Sequence, residues 1–173
     1  MTRPITVTVT DSPLGRLLVA TTTNGLCAVF PGDDDDALLA ALRAEFPAAP
    51  ITIAATPMPA AIAIVAYLRD ASDLPELRLD LVGTPFQQRV WHALRAIPRG
   101  STRTYGQLAS ALGLPATAAR AVGRACAANR LAVVVPCHRA LGADGQLHGF
   151  RWGLARKRTL LAIEGVLLPN IEA

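Results

Sequence analysis

The chain has 173 residues, 51% of them hydrophobic and 17% charged, which excludes disorder because this much apolar surface offsets the entropy of ordering. Three cysteines are too few for a disulfide framework, so a reducing, cytoplasmic setting is expected. The net charge of +4 hides a division: residues 1–85 carry five Arg against ten acidic residues, and residues 86–173 carry twelve Lys and Arg against three. That order suggests two units, 1–82 and 83–173, the second facing a polyanion.

Met1 to Asp11 alternates polar with apolar residues and has no apolar core of signal-peptide length. Within it, Ile5, Val7 and Val9 mark a half-buried strand. Asp11-Ser12-Pro13-Leu14-Gly15 turns the chain, Arg16 to Thr21 returns, and Asn24-Gly25 makes a second tight turn into Leu26 to Phe30. The pattern predicts a three-stranded antiparallel meander. Asp33 to Asp36 reads as the acidic first turn of a helix reaching about Phe46, where negative charge suits the helix dipole, rather than as a metal site. The uncharged run Phe46 to Leu68 is broken by Pro47, Pro50, Pro57 and Pro59, so it is a loop entering a buried helix, Ala60 to Arg69, and no membrane span. Leu77 to Leu81 is a further short alternating segment.

Leu81-Val82-Gly83 is the expected boundary. Thr84-Pro85-Phe86-Gln87 combines a Thr cap, Pro at the first helical position and Gln three residues after the cap, and this helix runs to Ile97. Thr104-Tyr105-Gly106-Gln107 repeats the capping pattern for a helix that stops at Gly113. A third helix spans about Ala116 to Ala128, so that helix, Gly-containing turn and helix form a helix-turn-helix. The second helix of that pair is nearly bare, with eight Ala or Gly and with Arg120 and Arg124 on one face. Such a helix could press its backbone into a narrow groove with an Arg inserted. Close packing among other helices accounts for the same pattern.

Leu131 to Val135 reads as a buried extended segment leading to Pro136-Cys137-His138-Arg139. A free thiol with a pKa of about 8.5 is only about 3% thiolate at pH 7, and neighbouring His, Arg or helix N-terminal N–H groups lower that value. All three types lie near Cys137 in sequence. Full ionisation would gain about 30-fold, or about 2 kcal/mol, so leaving-group assistance must come from elsewhere. The pattern alone also admits a structural cysteine. Cys27 and Cys126 read as small buried hydrophobes, and zinc is not expected, since no CxxC pair occurs and His92 and His148 lack partners at ligand spacing.

These residues carry a resemblance. Gly83-Thr84-Pro85-Phe86-Gln87-Gln88, Thr104-Tyr105-Gly106-Gln107-Leu108-Ala109, Arg120-Ala121-Val122-Gly123, Asn129, Pro136-Cys137-His138-Arg139 and Gly153-Leu154-Ala155-Arg156-Lys157 with Glu164-Gly165 resemble the catalytic domain of the O6-alkylguanine-DNA alkyltransferases. Ser12-Pro13-Leu14-Gly15 and Asn24-Gly25-Leu26 resemble that family's ribonuclease-H-like amino-terminal domain, so the likeness covers nearly the whole chain. It implies an α/β ribonuclease-H-like domain followed by a mostly α-helical, winged-helix-like domain with a helix-turn-helix. The implied activity is irreversible, stoichiometric transfer of an alkyl group from O6-alkylguanine in DNA, with O4-alkylthymine as a related substrate, to Cys137.

The roles the resemblance implies are specific. Cys137 is the nucleophile, His138 a base acting through a water, Glu164 the carboxylate orienting His138, and Asn129 the tie between the DNA-binding helix and the active-site segment. Tyr105 assists the departing guanine. Arg120 fills the stack after the base is flipped out, and Gly106, Ala121 and Gly123 join Tyr105 and Arg120 along the minor groove. Phe150 and Arg151 wall the substrate pocket. No cofactor or metal is implied, and the partner is double-stranded DNA met by a monomer.

Two departures qualify this. Arg130 stands where many members have Pro and Phe150 where Tyr is common, and with Cys126-Ala127-Ala128-Asn129 these features resemble the carboxy-terminal alkyltransferase half of the bacterial adaptive-response regulator. That regulator's cysteine-rich zinc domain has no counterpart in the 173 residues, so transcriptional activation is not expected. Two other classes fit parts of the pattern. A non-transferring recogniser of damaged DNA would lack the cysteine, and a Cys-His hydrolase would turn over repeatedly without DNA.

Overall fold

Polar side chains close the first two turns. Strand β1 (Ile5–Ser12) meets β2 (Gly15–Thr22) where the Ser12 hydroxyl accepts from the Leu14 N–H at 3.1 Å and donates to the Gly15 carbonyl at 2.9 Å. The computed structural model of the chain describes residues 3–70 and 72–167. Strand β3 (Gly25–Gly32) follows after Thr22 and Asn24 make a similar turn. Gly25 adopts φ +138°, and a Cβ there would collide with the Arg78 backbone. The collision has a structural origin: Leu26 exchanges backbone hydrogen bonds with Arg78 and Asp80, both 2.8 Å, so residues 78–80 lie against the start of β3.

The expected meander is present, with a fourth strand added. β4 (Ile51–Ile53) pairs parallel to β1, giving the order β3-β2-β1-β4. Its three residues lie among Pro47, Pro50 and Pro57, signals that read as loop. An edge strand tolerates such neighbours because only one of its sides must hydrogen-bond. Helix α1 (Asp35–Glu45) is capped by Asp34, whose carboxylate accepts from the Ala37 N–H at 2.8 Å. Asp35 also grips the Arg16 guanidinium at 2.6 and 2.9 Å, which accounts for half of the acidic run structurally. Helix α2 (Pro59–Asp70) packs on β1, and Leu17, Leu18, Val19 and Ala20 of β2 are fully buried.

Two compact units result, Met1–Val82 with Arg130–Val134, and Gly83–Asn129 with Val135–Ala173. The short excursion into the first unit happens because Val29 exchanges backbone hydrogen bonds with Arg130 and Ala132, 2.8 and 3.2 Å. Arg130 also bonds Glu45 at 2.6 Å and lies 5.2 Å from the centre of the Phe46 ring. The segment is buried as expected but is not extended throughout. The Val134 N–H donates to the Ala132 carbonyl at 2.8 Å, closing a three-residue turn on Val133 at φ +72°. A β-branched residue rarely adopts that conformation, and a tight turn of this hand is strained.

In the second unit both capping boxes form. Helix α3 (Pro85–Arg95) is closed by reciprocal Thr84 and Gln87 bonds of 3.2 and 2.9 Å, and α4 (Tyr105–Ala111) by Thr104 and Gln107 bonds of 3.1 and 2.8 Å. Past Gly113, at φ +74°, the expected third helix starts as a 3-10 turn (Ala116–Ala118) and becomes α5 (Ala119–Ala127). Its entry is loose because Pro115, the cap, has no side-chain acceptor to offer. Val122, Ala125 and Cys126 bury the inner face of α5, and the Trp91 indole N–H fastens α3 to it through the Ala125 carbonyl at 2.9 Å. A two-residue parallel pair, β5 (Arg103–Thr104) with β6 (Ala140–Leu141), and helix α6 (Leu154–Ile163) complete this unit.

Candidate active site

Pro136 sets the approach to the thiol. Its φ of −81° and ψ of 64° close a turn in which the Cys137 N–H donates to the Val135 carbonyl at 2.8 Å, and Cys137–Arg139 then form one turn of 3-10 helix. Asn129, just past α5 and 1% exposed, spans the gap to this segment. Its amide donates to the Val135 carbonyl at 2.9 Å and to Cys137 Sγ at 3.2 Å. One side chain therefore fixes both the helix end and the sulfur.

Neither His138 nor Arg139 makes a direct side-chain hydrogen bond to the Cys137 sulfur. Both are committed to Glu164, at the end of α6. His138 Nε2 lies 2.7 Å from Glu164 Oε1, and Arg139 donates to Oε2 and Oε1 at 2.8 Å each and to the Ile97 carbonyl at 2.6 Å. The guanidinium neutralises the carboxylate, while burial drives His138 toward its uncharged form against the pull of Glu164. In that form the 2.7 Å contact assigns the ring proton to Nε2. Nδ1 is then a bare acceptor, and among the described residues it is buried without a hydrogen-bond partner.

Burial also pushes the Cys137 thiol upward, opposed by the Asn129 amide, the Lys157 charge, its own backbone N–H and the Arg151 charge. Lys157 and Arg151, rather than Arg139, are thus the cations acting on the sulfur. The motif was visible in sequence, but Lys157 drew no separate assignment. Its one signal is composition, since it is the chain's single lysine among seventeen basic residues.

A cavity of about 260 Å³ opens at the thiol, lined by Tyr105, Gly123, Cys126, Ala127, Cys137, Gly149, Phe150 and Arg151. It brings together the expected Cys137, Tyr105, Gly123, Phe150 and Arg151. The Tyr105 hydroxyl donates to the His148 carbonyl at 2.9 Å, and burial raises its pKa. Phe150 meets Trp152 edge to face with centroids 5.3 Å apart, and Arg151 donates to the Asn129 carbonyl at 3.4 Å. Cys126 is buried as read from sequence, yet it faces this cavity, which its Ala-rich surroundings did not signal.

Arg120, Ala121 and Gly106 lie outside the lining. Arg120 and Arg124 are exposed on α5, and a Cβ added to Gly123 between them would meet no atom within 4 Å. Packing therefore does not require glycine there, and the outer face of α5 stays low between two cations. No group of His, Cys, Asp and Glu able to hold a metal occurs among the described residues.

Known proteins share the sequence and fold of both parts of the chain. Residues 5–80 match the family model of the 6-O-methylguanine DNA methyltransferase ribonuclease-like domain, and residues 85–166 that of the DNA-binding domain. The crystal structure of Mycobacterium tuberculosis O6-methylguanine methyltransferase is 37% identical, superposes with a TM-score of 0.75, and the match covers 92% of both chains. The chain belongs to the 6-O-methylguanine DNA methyltransferase family.

Other members of the family lie near it. The same mycobacterial protein in complex with DNA is 38% identical with a TM-score of 0.78 over 92% of each chain. The regulatory protein ada of Salmonella typhimurium is 50% identical over 90% of this chain, which spans 44% of the length of that relative. A methylated-DNA--protein-cysteine methyltransferase of Mycobacterium leprae is 56% identical over 54% of this chain and 58% of its own length. Phe150 and Arg130, the departures noted in sequence, therefore occur within a family fold: Phe150 still supplies an aromatic wall, and Arg130 holds Glu45.

Proposed function

We propose that this chain repairs O6-alkylguanine in DNA by transferring the alkyl group to Cys137, once per molecule. The observation that carries the reading is the buried thiol at the floor of the cavity, held by Asn129 beside a His138 whose Nδ1 is bare. At about 260 Å³ the cavity lies just below the range typical of drug-sized ligands, suiting one base with a small substituent.

In this reading the duplex binds along α5, with its low outer face in the minor groove. The damaged nucleotide leaves the stack at a cost of about a few kcal/mol, partly offset by Arg120 entering the space. His138 Nδ1 takes the Cys137 proton through a water, and Glu164 stabilises the resulting imidazolium. The thiolate forms a bond to the alkyl carbon as the bond from that carbon to O6 breaks, and the electron pair leaves with guanine. Tyr105 gives the departing base its proton. Thiolate formation lowers the barrier by only about 2 kcal/mol, so this proton and the positioning do the larger share. The product thioether has no leaving group that water could displace, hence a single turnover.

Mass spectrometry after incubation with a methylated duplex tests the reading. One methyl on the Cys137 peptide is expected, with Cys137→Ala binding duplex but taking no methyl. Folded protein without a methyl on Cys137, or repeated turnover of a small ester, overturns it.

A further inference from the structure

Asn129 is the residue whose amide reaches the Cys137 sulfur, and the residue after it is held by contacts of its own. Arg130 Nε donates to Glu45 Oε2 at 2.6 Å, and the guanidinium lies 5.2 Å from the centre of the Phe46 ring. The last residue of α1 and the cap that follows it thus grip one side chain. The Arg130 carbonyl accepts from the N–H of Val29, a fully buried residue of β3, at 2.8 Å. Side chain and main chain of Arg130 are therefore both fixed, and the planar peptide it shares with Asn129 carries that constraint one residue back. The segment beyond is strained: Val133 stands at φ +72°, a conformation that persists only where the surroundings over-determine the chain. Both ends of this segment meet at Asn129, whose amide donates to the Val135 carbonyl at 2.9 Å and to Cys137 Sγ at 3.2 Å. Releasing Arg130 would let the strain relax into the loop whose closure sets those two bonds.

We propose that Arg130, clamped by Glu45 and Phe46, is a positioning residue for alkyl transfer: it holds Asn129, and through Asn129 the Cys137 sulfur, in the reacting geometry. The inference rests on the transfer reading above. No bond is made or broken at Arg130, and its contribution is geometric. The sulfur must meet the alkyl carbon opposite the departing oxygen, and a misplacement of about 1 Å in such an approach costs about 100-fold in rate. One partly exposed ion pair biases Asn129 toward the held position by less, up to about five-fold. A comparable pair supplies the control. At the opposite end of α1, Asp35 accepts from Arg16 of β2 at 2.6 Å, and neither residue adjoins Asn129 in the chain.

The test measures single-turnover transfer by the full chain at saturating methylated duplex. Glu45→Gln is expected to slow transfer about five-fold, while duplex affinity stays within about two-fold because no cation is lost. Asp35→Asn, which breaks the control pair, should transfer at the wild-type rate. The pH of half-maximal rate should move upward in Glu45→Gln, since the Asn129 amide favours the thiolate. The charges of Arg151 and Lys157, and Tyr105, Cys126 and His138 about the cavity, are unchanged in that variant. Arg130→Ala should be as slow as Glu45→Gln, and joining Glu45→Arg to Arg130→Glu should recover part of the rate. Urea unfolding of each variant confirms a folded protein, and Arg130→Lys, the mildest change, should fall between wild type and Arg130→Ala. A wild-type rate in Glu45→Gln, equal slowing in Asp35→Asn, or no recovery in the charge-swapped protein overturns this proposal and leaves the repair reading standing. No methyl on wild-type Cys137 overturns both.

Discussion

Cys27 of the first unit and Cys137 of the second are both buried, and their sulfurs meet opposite surroundings. Cys27, in the β-sheet, donates to the Ala20 carbonyl at 3.3 Å, and burial pushes its pKa up to about 12. Cys137 is equally buried, but it accepts from the Asn129 amide and feels the charges of Lys157 and Arg151. A sulfur that donates to a carbonyl is held as a thiol; one that accepts from an amide beside two cations is prepared for the thiolate. The difference teaches that burial by itself makes cysteine inert and that chemistry depends on what faces the sulfur.

The largest effect should separate the two directly. Cys137→Ala is expected to abolish transfer, whereas Cys27→Ala should leave the transfer rate unchanged and cost about 1 kcal/mol of stability, as read by single-turnover assay and urea unfolding. The comparison fails if Cys27→Ala impairs transfer. Next comes Glu164→Gln, which leaves the buried Arg139 without its anion and His138 without a charged orienting partner. A loss of about 3 kcal/mol and about 100-fold slower transfer are expected, and full activity in the variant would remove Glu164 from the mechanism.

Alkaline pH sharpens the contrast at Cys27 itself. The folded pKa is raised from 9.0 to about 12, so its contribution to stability is fully present below 9 and is lost as pH rises toward 12, where the unfolded chain has already released the proton. At pH 10 this removes about 1.4 kcal/mol. Urea midpoints at pH 8 and pH 10 should therefore fall by less in Cys27→Ala than in wild type. The smallest effect concerns the outer face of α5: Gly123→Ala should stabilise the fold by about 0.5–1 kcal/mol, as helix propensity requires where nothing obstructs a Cβ, while weakening duplex binding. Unchanged affinity in a fluorescence titration would mean that this face does not meet the duplex.

The strand meander, the two capping boxes and the element Pro136–Arg139 were legible in the sequence, because each is written in contiguous residues or at spacings of three or four. Strand β4 was not, since three residues among prolines carry too little alternation to mark a strand, and its existence depends on β1 having a free edge. The apolar run Leu131 to Val135 reads as extended throughout, yet between the pairing of Leu131 with Val29 and the return toward Pro136 the chain turns at Val133, φ +72°.

What the sequence by itself determined was the set of local elements, the family and the sulfur here proposed as the acceptor, all of which rest on short-range pattern and residue chemistry. Only the tertiary structure decided which charges serve that sulfur. It assigned Arg139 to Glu164, 25 positions away, and set the Lys157 charge of α6 and that of Arg151 against the rise that burial imposes on the thiol. Those assignments depend on burial and on long-range approach, where the cost of an unpaired charge selects the partner, and no spacing along the chain encodes that choice.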